Sequence, residues 1–250
     1  MSNTHFGFKE VDSNKKTSLV FDVFKSVANK YDLMNDFMSF GIHHFWKKEF
    51  VSKVKDLSGK IIDVAGGTGD ISFRLHKKAK EQSLKTDITI CDINQHMLNI
   101  AEQKAIDSNI LSGLKFHSAD AENMPFQDNS FDYYLISFGI RNVTNIEKAL
   151  SEAYRILKPG GKFLCLEFSQ VNNIMLQKIY DLYSMNVIPK IGKFVANDED
   201  SYRYLVESIR KFPNQQKFKQ MIINAGFGNV SYKNLSSGVV AIHEGQKNVS

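Results

Sequence analysis

Along residues 60–168 short apolar runs alternate with longer segments in which apolar residues recur every three or four positions. The short runs, 60–65, 86–91, 114–118, 131–137 and 161–168, are bounded by Gly, Asp, Asn or Pro and predict strands. The periodic segments between them predict helices, notably 95–106 and 146–157. Alternation of this kind predicts an α/β fold, a mainly parallel sheet with helices on both faces. The helix at 146–157 carries its own punctuation: Thr144 followed by Glu147 as an entry box, and Lys158-Pro159-Gly160-Gly161 as an exit.

Beyond the fifth strand the pattern predicts a long helical stretch at 174–212, a helix at 215–225, and β-like runs at 230–234 and 239–243 that would pair as a hairpin at the sheet edge. The first fifty-odd residues predict helices laid across this core. Val20, Phe24, Val27 and Tyr31 share one face; Trp46, Phe50, Val54 and Leu57 share another. The chain thus divides into an N-terminal helical segment, 1–58, covering the active site, and a core, 59–250, with a helical insertion at about 174–212.

Composition narrows the class. At 250 residues, 42% hydrophobic and 24% charged, the chain is that of an ordinary soluble protein. Cys91 and Cys165 each sit inside an apolar strand, a poor place for a disulfide or a metal knuckle, so a reducing compartment is expected. No run approaches the roughly 18 apolar residues of a membrane span. Residues 1–16 have neither a signal-peptide core nor an arginine-rich presequence. The expected location is cytoplasmic, with peripheral contact at the inner face of the membrane. The net charge of +5 comes from dispersed lysines, the pattern of a solvated surface rather than of a nucleic-acid footprint. Lys47, Lys48, Lys53 and Lys55 flank the second apolar stripe and would suit an anionic membrane surface. Adjacent His43 and His44 point apart on a helix, and no metal is expected.

Candidate chemistry collects at strand ends. The turn after the first strand reads Asp63-x-Ala65-x-Gly67-x-Gly69, and its Gly67 and Gly69 let the backbone approach a ligand closely. It lacks the G-x-G-x-x-G spacing of a dinucleotide site. Asp92, ending the second strand, can accept hydrogen bonds from both hydroxyls of a ribose, or cap the helix that follows. After the third strand Asp120 can accept from an adenine amine while the Ala121 backbone meets the ring edge. Three such signals at the carboxyl ends of three successive strands lie where open α/β sheets bind ligands. The motifs resemble those of class I methyltransferases, with alanine in place of the usual first glycine, and the cofactor they imply is S-adenosylmethionine.

The likeness extends further. Tyr31-Asp32-Leu33-Met34-Asn35-Asp36, Gly41-Ile42-His43, Ala65-Gly66-Gly67-Thr68-Gly69-Asp70, Ser137-Phe138-Gly139-Ile140-Arg141-Asn142-Val143, Leu157-Lys158-Pro159-Gly160-Gly161 and Asn197-Asp198-Glu199-Asp200-Ser201-Tyr202-Arg203-Tyr204-Leu205 together resemble the ubiquinone/menaquinone biosynthesis C-methyltransferase family. That resemblance implies a Rossmann-like, seven-stranded class I sheet, parallel except for its last strand. It implies methylation of a ring carbon of a polyprenylated benzoquinol or of demethylmenaquinol, and cofactor contacts at Thr68, Asp92, Asp120, Ala121 and Ser137. Partners to expect are the quinol, a membrane surface, and as candidates a second copy of the chain or other quinone-biosynthesis enzymes.

A quinol carbon is a weak nucleophile until an adjacent hydroxyl, with a phenolic pKa near 10, loses its proton. Arg141, just past the fourth strand, is the candidate to stabilise that oxyanion, with a salt bridge to a helix carboxylate as its competing role. Asn142 could orient the same oxygen or a water, and Tyr31 could line the pocket. Ile179, Leu182, Tyr183, Val187 and Ile188 form a stripe that could roof the prenyl tail, with Lys190 and Lys193 beside it. Two other readings compete: a methyltransferase for another small acceptor such as a sterol, phenol or lipid amine, and a non-catalytic basic protein that binds nucleic acid.

Overall fold

The structure is a computed structural model that describes residues 3–27, 39, 41–171 and 199–249. It begins with two short strands, β1 (Asn3–Phe6) and β2 (Lys9–Asp12), followed by helices α1 (Ser13–Val27) and α2 (Ile42–Ser52). The alternating region then delivers β3 (Lys60–Val64), α3 (Asp70–Glu81), β4 (Asp87–Asp92), α4 (Gln95–Asp107), β5 (Leu114–Ser118), β6 (Phe131–Ser137), α5 (Ile146–Ile156) and β7 (Leu157–Phe168). Helices α6 (Glu199–Lys211) and α7 (Gln215–Asn224) precede the final strands, β8 (Gly228–Leu235) and β9 (Val240–Gln246).

Seven strands form one sheet in the order β5-β4-β3-β6-β7-β9-β8. All neighbours are parallel except β9, which runs antiparallel to both β7 and β8. The two-residue period of a strand explains why this sheet has helices on both sides. Ile62, Val64, Tyr134 and Ile136 pack on one face with Ala149, Leu150 and Ala153 of α5 and Phe218 of α7. Ile61, Tyr133 and Leu135 point to the other, against Trp46 and Phe50 of α2 and Leu75 of α3. Both faces are apolar, so the central strands read as nearly continuous hydrophobic runs.

The direction of strand progression reverses between β3 and β6, which opens a crevice at their carboxyl ends.

Three local expectations are corrected and one holds. Residues 1–58 are not all helical, because β1 and β2 form an antiparallel hairpin at their start. The last two strands pair as the expected hairpin at the sheet edge, with β9 beside β7 and β8 outermost. Helix α5 is capped by Asn145, whose side chain accepts from Lys148 N, rather than by Thr144. Its exit is abrupt: Leu157 is already extended and opens β7, and the irregular register between Phe131 and Tyr133 absorbs the Pro-Gly-Gly segment. The stretch 172–198, with the expected roof over the prenyl tail, lies outside the described residues, as does Tyr31.

Candidate functional site

At the end of β3 the chain turns through three residues of positive φ: Ala65 at 51°, Gly67 at 53° and Gly69 at 85°. Gly66 N donates to Cys91 O at 2.9 Å and Gly69 N to Gly66 O at 2.9 Å, so the turn is fastened to β4 and closed on itself. Gly69 is the N-cap of α3 and stands back from the cleft. Gly67 and Thr68 line the cleft itself, with Thr68 buried.

Asp92 ends β4 and stitches two walls together. One carboxylate oxygen accepts from Gly67 N at 2.9 Å, the other from Asn94 N at 2.8 Å. The cap of α4 is Asn94, which accepts from His96 N and Met97 N, so Asp92 is freed of that duty. Each of its oxygens keeps a lone pair for a ligand hydroxyl. Burial raises its pKa, opposed by those two N–H bonds. Asp120 turns back on its own loop, accepting from Glu122 N at 2.9 Å, and Ala121 beside it is nearly buried. Ser137 ends β6 opposite. Thr68, Asp92, Asp120, Ala121 and Ser137 all line one cleft of about 1180 Å³, its open mouth included.

The sequence reading gave Asp63 no role, yet burial perturbs it strongly. It is fully enclosed; Ser72 Oγ donates to one oxygen at 2.7 Å, and the other has no partner. Burial pushes its pKa up to about 7, with the Ser72 bond opposing and the Asp70 charge adding to the rise. Lys47 of α2 also lines the cleft, its Nζ 2.7 Å from Asp70 Oδ2. Burial would raise Asp70, but Lys47 and Arg74 outweigh it and hold its pKa below the ordinary value. Lys47 is therefore not part of a membrane-facing row, and Lys53 is tied to Glu244; Lys48 and Lys55 remain exposed.

Among the described lining residues Lys47 is the only cation, facing Asp63, Asp70, Asp92, Asp120 and Glu122. A site so rich in carboxylates repels a pyrophosphate and favours a ligand carrying positive charge. S-adenosylmethionine fits it. The unpartnered Asp63 oxygen suits an ammonium group, Asp92 a ribose, and Asp120 with Ala121 an adenine edge.

The expected catalytic residues separate. Arg141 and Asn142 follow β6 in a single 3-10 turn, Ile140–Asn142. Arg141 does not line the cleft. Its guanidinium is buried, bonded to Glu167 at 2.9 and 3.1 Å and to Phe138 O, and lies 5.5 Å from the Phe168 ring centre. Burial pushes Glu167 up in pKa while Arg141 pulls it down. Glu167 lies 26 residues away, and no spacing rule links the two. Asn142 does line the cleft, and its Oδ1 accepts from Tyr204 Oη at 3.0 Å. Thr17, Val20 and Phe21 of α1 close the cleft from the N-terminal side, and Lys16 fastens that helix by donating to Val143 O at 2.8 Å.

Comparison with solved structures finds the same architecture at low identity. A Thermotoga maritima protein described as a SAM-dependent methyltransferase, possible histamine N-methyltransferase, aligns with a TM-score of 0.61 at 22% identity, over 91% of this chain and 99% of that one. Phosphoethanolamine N-methyltransferase 2 from Haemonchus contortus, in complex with S-adenosyl-L-methionine, aligns with a TM-score of 0.58 at 15% identity, over 81% of this chain and 52% of that one. The fold is thus that of class I methyltransferases. Relatives by sequence are far nearer. The ubiquinone/menaquinone biosynthesis C-methyltransferases UbiE of Rickettsia bellii (strain OSU 85-389) and Rickettsia prowazekii (strain Madrid E) are 56% and 54% identical, each over 99% of this chain and all of theirs. Residues 10–247 match the ubiE/COQ5 methyltransferase family, and the chain belongs to that family.

Proposed function

We propose that this chain is an S-adenosylmethionine-dependent C-methyltransferase that methylates a ring carbon of a polyprenylated benzoquinol or of demethylmenaquinol, precursors of ubiquinone and menaquinone. The observation that carries this reading is identity of 53–56% along essentially the whole chain to relatives bearing that name.

The cofactor supplies a methyl group on a sulfonium, ready for in-line displacement without a metal. The protein's part is to position and to stabilise charge. In this reading Asp92 accepts from the ribose hydroxyls, Asp120 and Ala121 meet the adenine, and Thr68 and Ser137 contact the remainder. Gly67 lets the backbone come close, Gly69 starts the helix behind it, and Asp63 meets the ammonium. Holding both reactants in one cleft is worth roughly 7 to 11 kcal/mol over a bimolecular encounter.

The quinol oxygen must gain negative charge as its ring carbon attacks. Asn142 makes the direct contact with it. Arg141 and Glu167 form a pair that is neutral overall, so their field at the cleft is small, and the Arg141 contribution comes through the turn that it braces behind Asn142. Tyr31 retains its assignment to the methyl or ring pocket.

A prenylated acceptor resides in a bilayer, and peripheral contact with that surface is part of the reading. Support comes from Ile42 and Phe45 on α2, one turn apart and 46% and 51% exposed, with Lys48 exposed beside them. No helix among the described residues is long and apolar enough to cross a membrane.

The deciding assay combines purified protein, labelled S-adenosylmethionine and reduced short-chain analogues of both quinones, read by mass spectrometry. A ring-methylated product from at least one is expected. Absence of product from both would overturn the assignment.

A further inference from the structure

The segment around Tyr204 is among the motifs that carry the family likeness, yet nothing so far gives it chemistry. Tyr204 lies on α6, outside the sheet, with only 5% of its surface exposed. Its ring stacks on Phe6 of the N-terminal hairpin, centroids 4.2 Å apart and planes 16° from parallel. The hairpin is fixed to the same helix beyond: Phe8 N donates to Glu207 Oε2 at 3.0 Å. From that seat the hydroxyl reaches Asn142 Oδ1, 62 residues earlier in the chain.

We propose that Tyr204 is a positioning residue for methyl transfer: seated by Phe6, it holds the Asn142 oxygen away from the cleft, so that the amide nitrogen donates to the quinol oxygen. This rests on the quinol reading above.

The argument is one of sorting. A primary amide has an acceptor and a two-hydrogen donor on the same carbon, and either can face a ligand. An acceptor facing a developing phenolate would repel it, whereas a donor stabilises it. In the structure the Tyr204 hydroxyl donates to the oxygen of that amide, a direction open to it only while it keeps its proton. Burial pushes its pKa up to about 12, with the Arg141 charge pulling down and Glu167 pushing up, so it donates throughout the neutral range. The hairpin then has a task besides covering the core, because without Phe6 the ring loses the surface that fixes its angle.

The test compares Tyr204→Phe, Asn142→Ala, Asn142→Asp and the double variant Tyr204→Phe/Asn142→Ala, with cofactor and quinol varied separately. Tyr204→Phe keeps the ring on Phe6 and removes only the hydroxyl. It is expected to lower kcat by about tenfold, the scale of one hydrogen bond, with KM for the cofactor and the melting temperature close to wild type. In the Asn142→Ala background the same change should cost nothing further, since the group it orients is gone. Asn142→Asp, which still accepts from Tyr204 but offers no donor, should be as poor as Asn142→Ala. Wild-type kcat in Tyr204→Phe, losses that multiply in the double variant, or an active Asn142→Asp would each overturn the proposal while leaving the quinol reading intact. A wild-type enzyme silent on both quinols would remove the two together.

Discussion

The free oxygen of Asp63 sets the pH behaviour expected of cofactor binding. Its pKa stands at about 7 in the folded protein against an ordinary 3.8, because burial disfavours the charge. Between those values the native state holds a proton that the unfolded chain has released. The carboxyl therefore favours the native state at the acid end, and that contribution is lost as pH rises through about 7. A cationic group brought beside it favours ionisation, so binding S-adenosylmethionine at pH 6 should expel a proton, and affinity should climb towards pH 7 and then flatten. Calorimetry in buffers of unlike ionisation heat measures that proton directly. Asp63→Asn should bind more weakly and release none; equal release by the variant would move the effect to Asp92, whose pKa is also raised. The sequence made Asp63 visible as the first position of a motif, but not its missing partner, which depends on how Ser72 is turned by α3. The alanine of that motif is similar. Ala65 departs from the usual glycine, and only the fold shows how it is housed: a Cβ on Gly139 would lie 2.5 Å from the Ala65 Cβ, so the missing side chain of Gly139 leaves room for the Ala65 methyl. Arg141 illustrates the limit most directly: its competing role was a salt bridge to a helix carboxylate, and the partner it meets is Glu167 on the strand β7.

Elements were legible to the extent that their signals are local. Strands 114–118 and 131–137 and the start of α4 agree with the pattern residue for residue, because apolar runs bounded by turn formers need no tertiary context. Caps do need it. Thr144 and Glu147 have the spacing of a capping box, yet Glu122 from the preceding loop accepts from both Thr144 N and Asn145 N at 2.9 Å and leaves Asn145 as the cap. Asn145→Ala should therefore cost about 1 kcal/mol of stability, and Thr144→Ala much less. Chemical denaturation of the two variants tests this, and a larger loss at Thr144 would restore the box. The hairpin of β1 and β2 escaped notice for a related reason. Two four-residue strands with mixed polarity have no period to detect, and what holds them is packing on α1 together with α6, the latter nearly two hundred residues later.

At the scale of the molecule the cleft has two builders. The sheet supplies its floor through the ends of β3, β4 and β6, a consequence of strand order that the alternating pattern anticipates. Its other wall comes from the N-terminal segment: Thr17, Val20 and Phe21 of α1 and Lys47 of α2. Polar ties hold that wall to the floor, among them Lys16 to Val143 O and Lys47 to Asp70. A ligand touching both builders binds only while they are together, so it should suppress local opening of the N-terminal segment as well as of the glycine turn. Hydrogen exchange with and without S-adenosylhomocysteine, the demethylated product, provides the measurement. Amides of α1 and of the turn around Gly67 should gain protection together, while those of the distant edge strand β8 stay unchanged. Protection limited to the glycine turn would mean that the N-terminal segment covers the core without closing on the cofactor, and its contribution to the cleft wall would then be one of packing alone.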